Sequence, residues 1–331
     1  MRLAIRHTTA YRYSQPIVYA IQTLRLTPRP YEGFNIIAWR VRGEGTQELP
    51  SLIDGYGNIV HCHTVNRAHD QAAIVVEGDV ETSASDGIVR GAVETLPPLF
   101  YLRPTRLTAI DETIRALALS VSGKGYDRLI AWMEAARAQV DYRSGETDAA
   151  TTAAEALRAG AGVCQDHAHL FIAGARAMGI PARYVGGYLW TGGNGAGEAS
   201  HAWAEAYLAD FGWIGFDPAN RCLPGEAYVR ASIGLDYWSA APVRGVRRGP
   251  GEESLAVEVK VRESACSNNN SYQGTDDVLL RRALPQRRTR DVVRYAHQCR
   301  RGQRLDLFED AYLRDSGRAV HRGDVGRQSR R

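Results

Sequence analysis

The segment from Gly160 to Pro181 constrains this chain more than any other. Between Cys164 and Met178, small and apolar residues (Ala168, Leu170, Ile172, Ala173, Ala175) are spread around most of a helix circumference. Such a helix has almost no face for water and needs other elements packed on nearly every side. Gly179 and Pro181 stop it, glycine by taking the left-handed cap and proline by refusing to continue. Gly160 and Gly162 let the chain turn sharply at the entry, so Cys164 falls at or next to the first helical turn. Unpaired N–H groups and the helix dipole favour an anion there, which promotes thiol ionisation, and the same N–H groups can receive an oxyanion. A lone cysteine on such a turn is more often a small buried hydrophobe. Its partners decide the matter.

The run Ser200-His201-Ala-Trp203-Ala-Glu205-Ala-Tyr207 alternates strictly and predicts a strand with His201, Trp203, Glu205 and Tyr207 on one face. Asp210-Phe211-Gly212 reads as a turn, and Trp213 to Asp217 as a second strand stopped by Pro218. The hairpin sets His201 and Asp217 at the same end. A turn centred on Phe211 would put Asp217 opposite Glu205, four residues short of His201, so a bulge or a displaced turn must close the gap. A cysteine, a histidine to take its proton and a carboxylate to orient the histidine form the general triad for thiol acyl transfer.

The three runs Gly-Val-Cys164-Gln-Asp-His-Ala, Ser-His201-Ala-Trp-Ala-Glu and Gly-Trp-Ile-Gly-Phe-Asp217-Pro, in that order, resemble the transglutaminase-like superfamily of papain-type cysteine enzymes. The opening of the chain resembles the N-terminal domain that precedes this core in bacterial members. The resemblance implies an α+β fold, an N-terminal antiparallel β-sandwich followed by a transglutaminase-like (papain-like) core, with Cys164, His201 and Asp217 as the catalytic triad. It implies hydrolysis of peptide or amide bonds in a protein or peptide substrate through an acyl-enzyme, without a cofactor. Transfer of a glutamine acyl group to an amine is the alternative. An aromatic or amide group near the nucleophile is also implied as oxyanion or pocket residue; Tyr142, Gln165 and Trp203 are the candidates. Tyr142 is equally readable as a core aromatic, and Gln165 as a side chain facing solvent. Two readings of other classes stay open: Cys164, His201 and Asp217 as zinc ligands, and an idle triad in a binding scaffold.

At 331 residues the chain suits more than one domain. Residues 1–104 carry strand signals at 2–13, 20–27, 36–42, 59–66 and 72–82, broken at Ser14-Gln15-Pro16, Pro28-Arg-Pro30 and residues 54–58; short strands so spaced predict the sandwich. His61-Cys62-His63 reads as ordinary strand, since Cys62 points away from the two histidines. After Leu96-Pro97-Pro98 and Arg103-Pro104, residues 105–264 form the core. Thr108 with Asp111 predicts a capping box and a helix to about Ser120; residues 126–140 form a second helix, and Thr152 with Glu155 caps a third, closed by Gly160. Residues 182–190 read as a strand and glycine-rich 191–197 as a mobile loop beside the cleft. Leu255, Val257, Val259 and Val261 alternate, predicting the closing strand of the core sheet. His167, His169 and Glu205 are given structural or pocket-lining roles.

Residues 265–331 differ in texture, with fifteen arginines and eight acidic residues, a charge of +7 that leaves −3 for the rest. Its arginine pairs resemble a nucleic-acid-binding tail, but stacking aromatics are few, and a disordered extension is the preferred reading. No apolar run approaches the ~20 residues of a membrane span. Five cysteines without paired spacing and no secretory signal predict a reducing, cytoplasmic setting. Neither a membrane nor nucleic acid is expected as partner.

Overall fold

A computed structural model describes residues 1–43, 48–192 and 200–264. The arginine-rich extension and most of the glycine-rich loop therefore lie outside the described residues. The N-terminal part is built from β1 (Arg2–Ile17), β2 (Tyr19–Thr27), β3 (Phe34–Arg42), β4 (Ser51–Ile53), β5 (Ile59–Val65) and β6 (His69–Thr82). These form two antiparallel sheets, ordered β15-β1-β6-β3 and β14-β2-β5-β4 once β14 (Val243–Arg248) and β15 (Glu253–Glu263) are added from the far end of the chain. Strict alternation of buried Leu3, Ile5, His7, Thr9 and Tyr11 along β1 gives one sheet its inner face. At Ser14-Gln15-Pro16 the extended path of β1 persists, but its register with β6 shifts between Arg12 and Ile17, because proline supplies no donor to the ladder.

The expectation that residues 253–262 close the core sheet is corrected. β15 pairs along its whole length with β1, from Leu3 opposite Glu263 to Tyr13 opposite Glu253. Residues 243–263 thus belong by pairing to the N-terminal sheets, not to the core assigned to 105–264. In exchange, β7 (Ile88–Val89) joins the edge of the core sheet beside the strand Gly212–Phe216.

The core holds α1 (Glu112–Ser120), α2 (Gly125–Gln139), β8 (Asp141–Tyr142), α3 (Ala153–Ala159), β9 (Ala161–Gly162), α4 (Cys164–Ala177), β10 (Ala182–Leu189), β11 (Ser200–Leu208), β12 (Gly212–Phe216), β13 (Tyr228–Gly234) and α5 (Tyr237–Ala240). Its sheet runs β13-β10-β11-β12-β7. Every residue of α4 from Cys164 to Arg176 is buried, as the all-round apolar pattern requires. Ala202, Ala204 and Ala206 let β11 approach α4 on one side, while α1, α2 and α3 cover the other. Gly174 is the close-approach position, because a Cβ there would meet the Trp132 ring at 2.1 Å; Trp132 instead lies flat enough to donate to the Phe171 carbonyl. Gly179, at φ 76°, ends α4.

Two caps differ in outcome. Thr152 and Glu155 form the expected box at α3, closed by Gly160 in the left-handed region. At α1 the cap is Asp111, which accepts from Ile114 N; Thr108 accepts instead from buried Arg176. Arg176 also donates to the carbonyls of Tyr101, Ala182 and Leu235, fastening the linker to the end of α4. Burial lowers its pKa to about 10. No helix among the described residues is long and apolar enough to cross a membrane.

Candidate active site

Cys164 is the first residue of α4, preceded by extended Val163 (φ −109°, ψ −174°). The short parallel pair β8–β9 sets Tyr142 beside Gly162, which carries Tyr142 to the wall of the cavity that Cys164 lines. Inside the first turn, Asp166 N and His167 N both donate to Val163 O, so the N–H groups of Cys164 and Gln165 remain as helix-end donors. The Asp166 carboxylate turns back and accepts from Val163 N at 2.8 Å and Thr147 Oγ1 at 2.7 Å. Burial raises its pKa to about 6 against these hydrogen bonds.

The hairpin register answers the question left by the sequence. Leu208 faces Gly212 and Ala204 faces Phe216, so the turn is centred on Asp210 rather than Phe211. One step further, Asp217 comes opposite Trp203, only two residues from His201 on the same face. The side chains span that distance, with His201 Nε2 2.7 Å from Asp217 Oδ2. A displaced turn, with no bulge in the ladder, halves the gap, and the side chains cover what remains.

Asp217 is fully buried and held by further donors. Tyr228 OH (2.7 Å) and Asn220 Nδ2 (2.8 Å) also reach Oδ2, and Asn220 N reaches Oδ1 at 3.2 Å. Burial pushes the carboxyl pKa up, but His201, Asn220 and Tyr228 outweigh it and hold Asp217 below the usual carboxylate range. The sequence reading missed Asn220 and Tyr228. Asn220 was findable as the closing residue of an Asp-Pro-x-Asn turn; Tyr228 arrives from β13, and no local signal marks it.

His201 Nε2 is committed to Asp217, and the Cys164 sulfur acts on the same ring. Burial disfavours the imidazolium, yet the Asp217 carboxylate and the Cys164 sulfur together raise His201 to about 10. Cys164, His201, Tyr142 and Gln165 share one cavity of about 140 Å³.

The remaining candidates are placed as follows. Gln165 is buried rather than solvent-facing, its Nε2 3.4 Å from the Asp148 carbonyl. Trp203 lies behind His201, ring centroids 6.2 Å apart, in a cluster with Val185 and Tyr228; it backs the imidazole instead of lining the cavity. His167 stacks on Tyr142 and bridges the carbonyls of Val163 and Val140. His169 receives Tyr237 N. Glu205 is bound by Arg183 (2.6 Å) and Arg230 (2.7 Å), and Arg183 in turn lies 3.8 Å from the Trp213 ring centroid. His61 and His63 are engaged by Thr27 and Gln22. Among the described residues no three His, Cys, Asp or Glu side chains converge on a metal position, and His201 contacts Asp217 directly rather than across a shared centre.

A helix-end cysteine facing an imidazole–carboxylate pair on an antiparallel sheet is the arrangement of the papain-like cysteine enzymes. Residues 115–218 match the transglutaminase-like superfamily and residues 3–81 the bacterial transglutaminase-like N-terminal region. An uncharacterized protein of Mycobacterium leprae is 30% identical over 279 residues, 80% of this chain and 99% of its own. An uncharacterized protein of Mycobacterium tuberculosis is 30% identical over 289 residues, 78% of this chain and 91% of its own. The chain belongs to the transglutaminase-like superfamily and carries the N-terminal region of its bacterial members. Its fold is similar to a crystal structure of a candidate cysteine protease from Cytophaga hutchinsonii, with a TM-score of 0.64 and 22% identity over 83% of this chain and 94% of that one.

Proposed function

We propose that the protein is a cysteine-dependent acyl-transfer enzyme that hydrolyses peptide or amide bonds with Cys164, His201 and Asp217. The observation that carries this reading is the His201–Asp217 pair at 2.7 Å, with His201 lining the same cavity as Cys164. In the first half-reaction the Cys164 thiol passes its proton to His201, Sγ attacks the carbonyl carbon, the C=O π bond opens and the oxygen becomes an oxyanion. The N–H groups of Cys164 and Gln165 face that charge, with Tyr142 as the side chain beside it. The C–N bond then breaks as His201 gives its proton to the leaving nitrogen, and a thioester remains. In the second half-reaction water loses a proton to His201 and attacks the thioester, releasing the acid and restoring the thiol. Asp217 keeps its charge throughout and holds the imidazole in position.

Limiting iodoacetamide near pH 6, followed by peptide mass spectrometry, tests the nucleophile. Cys164 should be alkylated well ahead of Cys62 and Cys222. Equal labelling of the three would remove the reading. Product analysis with a glutamine-containing peptide, with and without a primary amine, then separates hydrolysis from transamidation: free acid in both cases supports the hydrolase.

A further inference from the structure

The cavity beside Cys164 is built by both halves of the molecule. Cys164 and His201 stand at one end, while His7 from β1 and Arg25 and Leu26 from β2 contribute to the wall. Tyr184 and Tyr188 from β10 and Tyr237 from α5 supply aromatic surface between them. Its volume of about 140 Å³ is close to the ~150 Å³ at which an apolar protein cavity takes up benzene.

Three polar side chains of this wall, Arg25, Asp148 and His7, are held by neighbours of their own, although Arg25 Nη1, closed off from solvent, has no hydrogen-bond partner. Arg25 Nε is 3.0 Å from Asp54. Asp148 Oδ1 accepts from Ala150 N at 2.7 Å and from Thr151 Oγ1 at 3.2 Å. His7 lies 3.1 Å from Tyr188 OH through Nδ1 and 3.0 Å from Thr9 Oγ1 through Nε2, and burial holds it neutral, with a pKa of about 4. A charged side chain entering here would give up its hydration for a wall whose Arg25, Asp148 and His7 already have partners, whereas an apolar one would only shed water.

We propose that this cavity receives a bulky uncharged side chain, aromatic or branched aliphatic, on the acyl half of the substrate, and that the N-terminal β-sandwich helps to read it. The inference rests on Cys164 being the attacking thiol and adds which acyl donors it accepts. The sandwich is then part of the specificity apparatus, with Leu26 and the His7–Tyr188 contact contributing to the wall.

The test uses acetyl-Xaa-aminomethylcoumarin substrates with Xaa as Phe, Leu, Ala, Asp or Lys on the full chain. Expected is a kcat/KM for Phe and Leu at least tenfold above Ala and further above Asp and Lys. Ala231→Phe, which fills the cavity, should reverse the order of Phe and Ala. Independently of turnover and of that variant's folding, Cys164→Ala protein should bind N-acetylphenylalaninamide at least tenfold more tightly than N-acetylalaninamide by calorimetry. Selective Cys164 alkylation combined with a flat or charge-favouring panel would overturn this inference and leave the acyl-transfer reading standing. Unselective alkylation would overturn the acyl-transfer reading, and the two amide ligands would still decide the cavity: equal binding overturns it, the expected preference supports it.

Discussion

His201 and Asp217 are not cross-strand partners, yet their side chains meet at 2.7 Å because the hairpin turns one residue earlier than its glycine suggests. Asp217→Asn keeps this shape while removing the charge that stabilises the imidazolium. The variant should fold normally and lose about 10³–10⁴-fold in kcat, measured on the best substrate of the coumarin series. Near-native turnover would mean that another group orients His201.

The same substitution has a signed effect on the pH profile. Asp217 raises His201 to about 10 against burial. In Asp217→Asn only the Cys164 sulfur still works against burial, so the alkaline limb of kcat/KM should move down. An unmoved limb would show that some other group titrates there.

Tyr228 is a positioning residue, donating to Asp217 from β13 at the edge of the core sheet. A neutral donor to a buried carboxylate contributes about 1.5–3 kcal/mol. Tyr228→Phe should therefore lower kcat about tenfold or more with little change in KM, and shift the acid limb upward as Asp217 loses a stabilising hydrogen bond. Parallel losses in KM would point to a structural defect instead.

Buried His7 gives stability an acid edge. Its folded pKa of about 4 lies below the ordinary histidine value of 6.5, so the unfolded chain binds the proton first. The contribution is complete above about pH 6.5 and declines as pH falls toward 4, by up to about 3 kcal/mol. His169, held by burial at about 3, acts in the same direction. Urea midpoints should fall between pH 7 and 4.5, and more gently in His7→Gln.

Glu205 lies fully buried between Arg183 and Arg230. Glu205→Ala leaves Arg230 without its carboxylate and buried Arg183 with Glu94 alone, and should destabilise the fold by about 3–5 kcal/mol, seen as a lowered denaturant midpoint with an unchanged slope.

Much of the site was legible because its signals are local. A helix buried on all sides, a glycine-rich entry and an alternating strand fix Cys164 and His201 within their own segments. Asp217 was legible in identity but not in register, since one residue of turn displacement changes every cross-strand partner. The strand at residues 253–263 was recognised from its alternation, but its partner was misread, because β-pairing over such a separation leaves no trace in local pattern. Cap placement at α1 failed for a related reason: Thr108 is claimed by Arg176, 68 residues away. Tyr228 and the wall formed by His7 and Leu26 likewise depend on contacts between distant segments.

The pairing of β1 with β15 has a consequence for how the molecule is made. Leu3 finds its neighbour Glu263, and Ser264 N its acceptor Arg2 O, only after the intervening chain has been produced. During synthesis one edge of β1 stays without its final partner while the helices and the core sheet emerge and collapse. Such late, non-local closure slows folding and leaves an open strand edge that a neighbouring nascent chain can capture. A wall of the cleft also rests on β1 and β2, so a ribosome-bound chain can hold Cys164 and His201 in place well before it can shape the cavity they share.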